Sequence, residues 1–489
     1  MLFSSPRFFI FLCLLLGVLA FSGSVTRKKR ILAVASCIFY AAWDYRYLGL
    51  LLLISVIDYA CAARIHVSND ERRRKLWLAA SVVSNLGILA YFKYTNFFLE
   101  NLNGLFAAGH GLPRLDILLP AGISFYTFKS MSYTIDVYRR EIEPCRSHLD
   151  YTTFVTFFPE LIAGPIVRAS VFLPQMDRAI GLTRERLRSG LSLFLLGITK
   201  KLLVADAMGQ IADPIFAAPE HYSSGTLWLA AIAYAIQIYC DFSGYSDMAI
   251  GTAKLIGYDL PENFRMPYAS ANITEFWRRW HITLSSWLRD YLYIPLGGNR
   301  HGAGRTYLNL ALTMLLGGLW HGASWNFVLW GALHGVALAV HRLMSRSTSF
   351  TLPRLVSTPL TLLFVVLCWI PFRATSFTIT WTMITRMLAL PADGARFYPS
   401  PVIMAVCAVV VFHALGAWLE RCEAVPALRV KAERLLAWFD AELQTGEMSG
   451  WYVRFGLGSV AGAFVVTLWV AMVFFFATLT SNPFIYFQF

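Results

Sequence analysis

Residues 307–341 read YLNLALTMLLGGLWHGASWNFVLWGALHGVALAVH, 35 positions without an aspartate, glutamate, lysine or arginine. As one straight helix rising 1.5 Å per residue the run would be about 50 Å long. The hydrocarbon core of a bilayer is only about 30 Å thick. The run must therefore break, and Gly317, Gly318 and Gly322 in GGLWHGASW supply the hinge. The break puts His321 at a helix end within the membrane, where an ionisable residue is a functional candidate by default. The plain alternative is a neutral imidazole bonded to a backbone carbonyl. His334 lies between Gly331 and Gly335 and reads as close helix packing. His341, beside Arg342, reads as interfacial.

The rest of the chain is of the same kind. Of 489 residues 57% are hydrophobic and 15% charged, where a soluble protein carries roughly a quarter charged. This is an integral membrane protein. The net charge of +13 resides in basic clusters between apolar spans, as the positive-inside bias dictates. No basic stripe with interleaved aromatics lies on a soluble domain, which excludes nucleic-acid binding. Eight cysteines stand singly, without CxxC or Cys/His clusters, so neither a disulfide framework nor a metal site is indicated.

The amino-terminal apolar segment precedes its basic cluster instead of following it, and reads as a retained helix, not a cleaved signal. Candidate spans continue to 453–479, several of them broken by Gly and Pro. The expectation is an all-α polytopic fold with about 11 crossings plus re-entrant and interfacial helices. Basic residues 27–30, 72–75 and 139–140 put those three loops on the cytoplasmic side. The chain reads as one membrane domain over 1–489, with a core near 120–345 and carboxyl-terminal helices over 356–489. Within the latter, 420–450 reads as an amphipathic surface helix with a linker.

Two further stretches carry unusual polarity. NITEFWRRWHITLSSWLRDYLYIPLGGNR (272–300) opens on a helix-start pattern, Asn272 with Glu275 three residues on. Trp277, Trp280, Leu284, Trp287 and Leu288 then recur at helical spacing, with Arg278 and Arg279 off that stripe and His281 directly after Trp280. Such a helix is either interfacial or lines a cavity buried in protein. YCDFSGYSDMAIG (239–251) places Asp241, Tyr245, Ser246 and Asp247 in an apolar span. Acids at that depth face a cavity or pair with a cation, and Arg278 and Arg279 are candidate partners. Glu160, in FFPELIAGPIVR, is of the same type.

A buried imidazole without a charged partner stays neutral and accepts a proton near pH 7. No GxSxG elbow accompanies it, so the base would act on the substrate's own hydroxyl. That chemistry is acyl transfer with a general base in a membrane tunnel. Backbone N–H groups at the break, Asn326 or the Trp320 indole are candidate oxyanion donors.

DFSGYSDMAIG, the 272–300 segment, LNLALTMLLGGLWHGASWNFVLWGALHG and the terminal FIYFQF resemble the membrane-bound O-acyltransferase family, in its bacterial polysaccharide branch. The resemblance covers essentially the whole chain. It implies a helical ring around a central tunnel, with the family's invariant histidine at His321. Its second signature position, an Asn, Asp or His in different members, falls on His281. It further implies a multi-pass protein of the bacterial inner membrane that holds no resident cofactor. Such a protein takes acetyl groups from acetyl-CoA and passes them outward to a periplasmic or membrane-anchored acetyltransferase for exopolysaccharide O-acetylation, on alginate or cellulose. Trp277, Trp280, Trp287, Trp320, Arg278, Arg279, Asp241, Tyr245, Ser246 and Asn326 would line the tunnel. Rival readings are a polar-solute transporter, D-alanyl transfer to an envelope polymer, and an idle scaffold.

Overall fold

The computed structural model describes residues 1–105, 111–178, 183–347, 352–390, 393–437, 441–446, 450–455, 459–476 and 484–485. They form two compact units, Met1–Leu191 with Met248–Pro261, and Ser192–Asp247 with Glu262–Phe489. Both are helical. Short polar side chains start the helices: Ser5 accepts from the Phe8 amide at 3.3 Å and Ser376 from Ile379 at 3.2 Å.

Among the described residues six helical stretches are long and apolar enough to cross a bilayer: Val25–Val67, Glu71–Leu105, Ser224–Ile256, Trp325–Ser347, Arg354–Arg373 and Ser400–Glu420. The first is divided by the 3-10 turn Tyr45–Tyr47 into Val25–Asp44 and Leu48–Val67. Pro6–Ala20 and Val460–Phe475 are shorter apolar helices. Other expected spans are helices interrupted by breaks. His148–Thr156 stops before the four-residue Phe158–Leu161, and Arg184–Thr199 passes into the π-turn Lys200–Ala205. Large apolar side chains such as Ile10, Leu14, Val410 and Phe474 are exposed on helix surfaces, the arrangement expected where lipid is the solvent.

The first unit is braced by buried polar groups. Asp58 accepts from Ser81 at 2.5 Å, from Asn85 at 2.8 and 3.0 Å, and from Ser130. Glu160 pairs with Lys129, whose ammonium lies 4.3 Å from the Phe154 ring centroid. Glu160 is therefore half of a buried ion pair.

The second unit corrects one expectation. Residues 420–450 are not a single amphipathic helix with a linker. The helix Ser400–Ala424 ends, Pro426–Ala437 begins anew, and Ala441–Gly446 pairs antiparallel with Gly450–Phe455. Pro426 explains the restart, since proline is tolerated only in a helix's first turn. Of the final expected span, 453–479, the first residues belong to the hairpin and Val460–Phe476 is helical, while 456–458 and 477–479 lie outside the described residues.

Candidate active site

The site lies within the second unit. The 35-residue run breaks where its glycines predict: Gly302–His321 and Trp325–Ser347 form a helical hairpin around Gly322. Helix approach is close enough that a Cβ on Gly318 would meet the Phe327 carbonyl, and one on Gly331 the Met314 carbonyl. This pairing turns Thr313, Gly317 and Trp320 of one helix and Phe327, Trp330 and His334 of the other into buried positions.

His321 is the last residue of its helix and only 4% exposed. Its ring is set edge-to-face against Trp320, Trp330 and Phe372, with centroids at 5.0, 5.1 and 5.2 Å. These are favourable aromatic geometries. They set the orientation of the imidazole ring. His334 lies across Trp330, at 4.7 Å, and also packs on Trp277 at 5.2 Å and Phe364 at 5.6 Å. Neither of its ring nitrogens has a hydrogen-bond partner among the described residues, so ring packing alone holds it.

The 272–300 segment departs from the expected continuous helix. Its start is as read: Asn272 accepts from the Glu275 amide at 2.8 Å, and Glu275 reaches back to the Ala271 amide at 2.9 Å. The helix then stops at Arg279, and a second runs over Ile282–Leu288. Between them His281 adopts the left-handed conformation, φ 42°, which costs most residues roughly 1–2 kcal/mol. The loop before the helix compensates, because the Asn263 carbonyl accepts from Ile282 and the Arg265 amide donates to Arg279, each at 2.9 Å. Asn, Asp and His are the non-glycine residues that best tolerate this backbone region. They are also the three the family resemblance implies at this position.

The same loop sets the His281 proton. Asn263 Oδ1 accepts from Thr283 Oγ1 at 2.9 Å and from the Thr283 amide at 3.3 Å, while Nδ2 donates to Ser246 Oγ at 3.2 Å. With the amide so oriented, His281 Nδ1, 3.1 Å from Oδ1, is the protonated nitrogen and Nε2 the acceptor. His281 lies outside the spanning helices and is fully buried, and burial pushes its pKa down to about 3. A neutral ring in this tautomer accepts a proton but has none at Nε2 to give a leaving thiolate. Trp320 joins the two histidines, its ring 6.2 Å from His281 and 5.0 Å from His321.

The remaining expected residues divide. Trp280 packs on Phe264 and Trp369, at 5.0 and 4.9 Å, and Trp277 on Trp330 at 5.7 Å, so both are walls of the aromatic cluster. Trp287 packs on Tyr291 at 5.1 Å. Asn326 donates to the Ala374 carbonyl at 2.8 Å and accepts from Thr380 at 3.3 Å, which makes it a brace. Asp241 and Asp247 do not pair with Arg278 and Arg279. Lys201 bridges Asp241 and Asp206 at 2.8 Å each, and Lys200 binds Asp247 at 2.6 Å. Arg279 instead holds Glu275 and Glu420, at 3.2 and 3.0 Å, and Arg278 is exposed. Asp241 also accepts from the Ile485 amide at 2.7 Å, and Phe484 packs on Tyr245 at 4.7 Å. The last four residues of FIYFQF lie outside the described residues. Sequence reading missed Asn263, Trp330, Phe372 and Lys201. The one signal for Asn263 was its place in a polar connector between two apolar segments.

Residues 36–383 match the membrane-bound O-acyltransferase family. The chain belongs to that family. Over 393 residues it is 44% identical to the probable alginate O-acetylases of Azotobacter vinelandii and Pseudomonas aeruginosa, covering 80% of this chain and 78% and 75% of theirs. The peptidoglycan O-acetyltransferase of Helicobacter pylori is 39% identical over 425 residues, 80% of each chain. The teichoic acid D-alanyltransferase of Streptococcus thermophilus is more distant, 27% identical over 70% of this chain and 78% of its own. The protein is a multi-pass membrane O-acetyltransferase of the kind that acts in polysaccharide modification.

Proposed function

We propose that this enzyme takes acetyl groups from acetyl-CoA on the cytoplasmic side of the bacterial inner membrane and passes them outward for O-acetylation of a secreted polysaccharide. His321 is the general base. It removes the proton of an acceptor hydroxyl, the oxygen attacks the thioester carbonyl, the C–S bond breaks and the thiolate leaves to take up a proton. His281 orients that hydroxyl by accepting a hydrogen bond at Nε2. The observation that carries the reading is the shared Trp320, whose ring lies near both imidazoles. The polymer that finally receives the acetyl group is an alginate-like or cellulose-like exopolysaccharide, with alginate favoured by the two 44% identical relatives. A periplasmic or membrane-anchored acetyltransferase completes the transfer. The test is His321→Ala with mass spectrometry of the polymer: acetylation should vanish while the protein stays in the membrane. Full acetylation by that variant overturns the assignment.

A further inference from the structure

His281 is held in a backbone conformation that few residues favour, and it is not alone. Met266, in the connector that runs beside its turn, is also left-handed, φ 44°. Two strained residues other than glycine persist together only where their surroundings over-determine them. Hydrogen bonds from Ile282 to Asn263 and from Arg265 to Arg279 tie the connector to the turn. Asn263 and Tyr268 attach the connector to the Ser224–Ile256 helix, through Ser246 at 3.2 Å and the Ala235 carbonyl at 2.5 Å. A second anchorage comes from the Ser400–Ala424 helix, which lies beyond the residues 36–383 that match the family.

His413, Gly416 and Glu420 of that helix follow one another at spacings of three and four, and so share one face. Glu420 accepts from Arg279 at 3.0 and 3.3 Å. Arg279 also donates to Glu275 of its own helix and to the Arg265 carbonyl, each at 3.2 Å. One guanidinium therefore ties the short helix, the connector and Ser400–Ala424 together. Gly416 leaves the space that Met266 fills: a Cβ there would lie 2.5 to 2.8 Å from the Met266 Cε, Cγ and Sδ. His413 stacks on Tyr268, with planes 13° apart and centroids 5.8 Å apart. Tyr268 stacks in turn on Trp280, at 24° and 6.1 Å. The contacts thus reach Met266 and Tyr268 in the connector, and Arg279 and Trp280 immediately before His281.

We propose that Glu420 and Gly416 are positioning residues for acetyl transfer. Through Arg279 and Met266 they hold the turn in which His281 is left-handed and presents Nε2 to the acceptor hydroxyl. Their effect on transfer rests on the proposed role of His281; their hold on its turn does not.

The test uses the full chain in membranes of the producing cell, with radiolabelled acetyl-CoA and the initial rate of polymer acetylation per folded enzyme. Glu420→Gln keeps the side chain's size and removes its charge. It should lower kcat about tenfold, as a displaced reacting group does, and leave the KM for acetyl-CoA unchanged. Glu420→Asp should keep part of the lost rate. Gly416→Ala should act in the same direction, and Met266→Ala alongside it should return part of the loss; no recovery overturns the role of Gly416. Val411→Ala, on the exposed face of the same helix, should change neither constant. In a His281→Ala background Glu420→Gln should cost nothing more, because it acts through that ring. A loss of equal size there, or a lower melting temperature with kcat intact, overturns the proposal. The second readout needs no turnover: the ¹⁵N signals of His281 in histidine-labelled protein, assigned by their loss in His281→Asn. Wild type should be protonated at Nδ1 and Glu420→Gln a mixture of tautomers; identical spectra overturn the hold on the turn. Full activity of His281→Ala by itself would sink the role given to His281 and leave those spectra to decide the hold.

Discussion

Asp58 and His321 are both buried polar side chains on apolar helices, and the protein holds them in opposite ways. Three side chains donate to the Asp58 carboxylate, so its lone pairs are consumed by the fold. Three aromatic rings set the direction of His321 by edge-to-face packing. The difference separates a brace from a reactive group. Hydrogen-bond saturation makes a buried polar residue inert, whereas edge-to-face packing orients an imidazole through its ring.

The sharpest test of that contrast is to remove each side chain. His321→Ala should lower acetyl transfer at least about a thousandfold, within the range for loss of a general base, at unchanged protein level in the membrane. Asp58→Ala should do the reverse. It strands buried donors worth about 1–3 kcal/mol each, so membrane yield and melting temperature should fall while activity per folded molecule survives. A folded but inactive Asp58→Ala protein would break the comparison.

Asn263→Leu should sharpen it. Without the Oδ1 acceptor the His281 tautomer is no longer specified, and kcat should drop roughly 10- to 100-fold with modest loss of stability. At the neighbouring position, His281→Asn should fold well and His281→Val poorly, by about 1–2 kcal/mol in a denaturation assay, because only the former suits a positive φ. Equal stabilities would remove the backbone argument. The smallest effect concerns pH. The native His281 ring is neutral down to about pH 3, whereas the unfolded chain takes up a proton below its ordinary value of 6.5. Its contribution is therefore complete above pH 6.5 and is lost as pH falls toward 3, amounting to about 1 kcal/mol near pH 5.5. The melting temperature of His281→Asn should decline less than wild type over that interval.

Much of this site could be read before any coordinates. The hinge around His321 follows from arithmetic on a run too long for the bilayer, and the Asn272 helix start follows from capping chemistry. What failed was partner choice. Arg278 and Arg279 stood in the neighbouring polar segment, yet Lys200 and Lys201 reach Asp247 and Asp241. Helical periodicity likewise carried the aromatic stripe straight through His281, since a single left-handed residue leaves no mark on a hydrophobic pattern.

The sequence by itself determined that this is a polytopic helical membrane protein whose apolar runs must break at glycines. Bilayer thickness and helix rise are constants, so composition and length suffice. Only the tertiary structure decided that Trp320 lies near both His281 and His321, that Asn263 sets a tautomer, and that Phe372 packs on His321. Those facts depend on which residues distant in the chain come within a few ångströms of each other, and no local pattern specifies that.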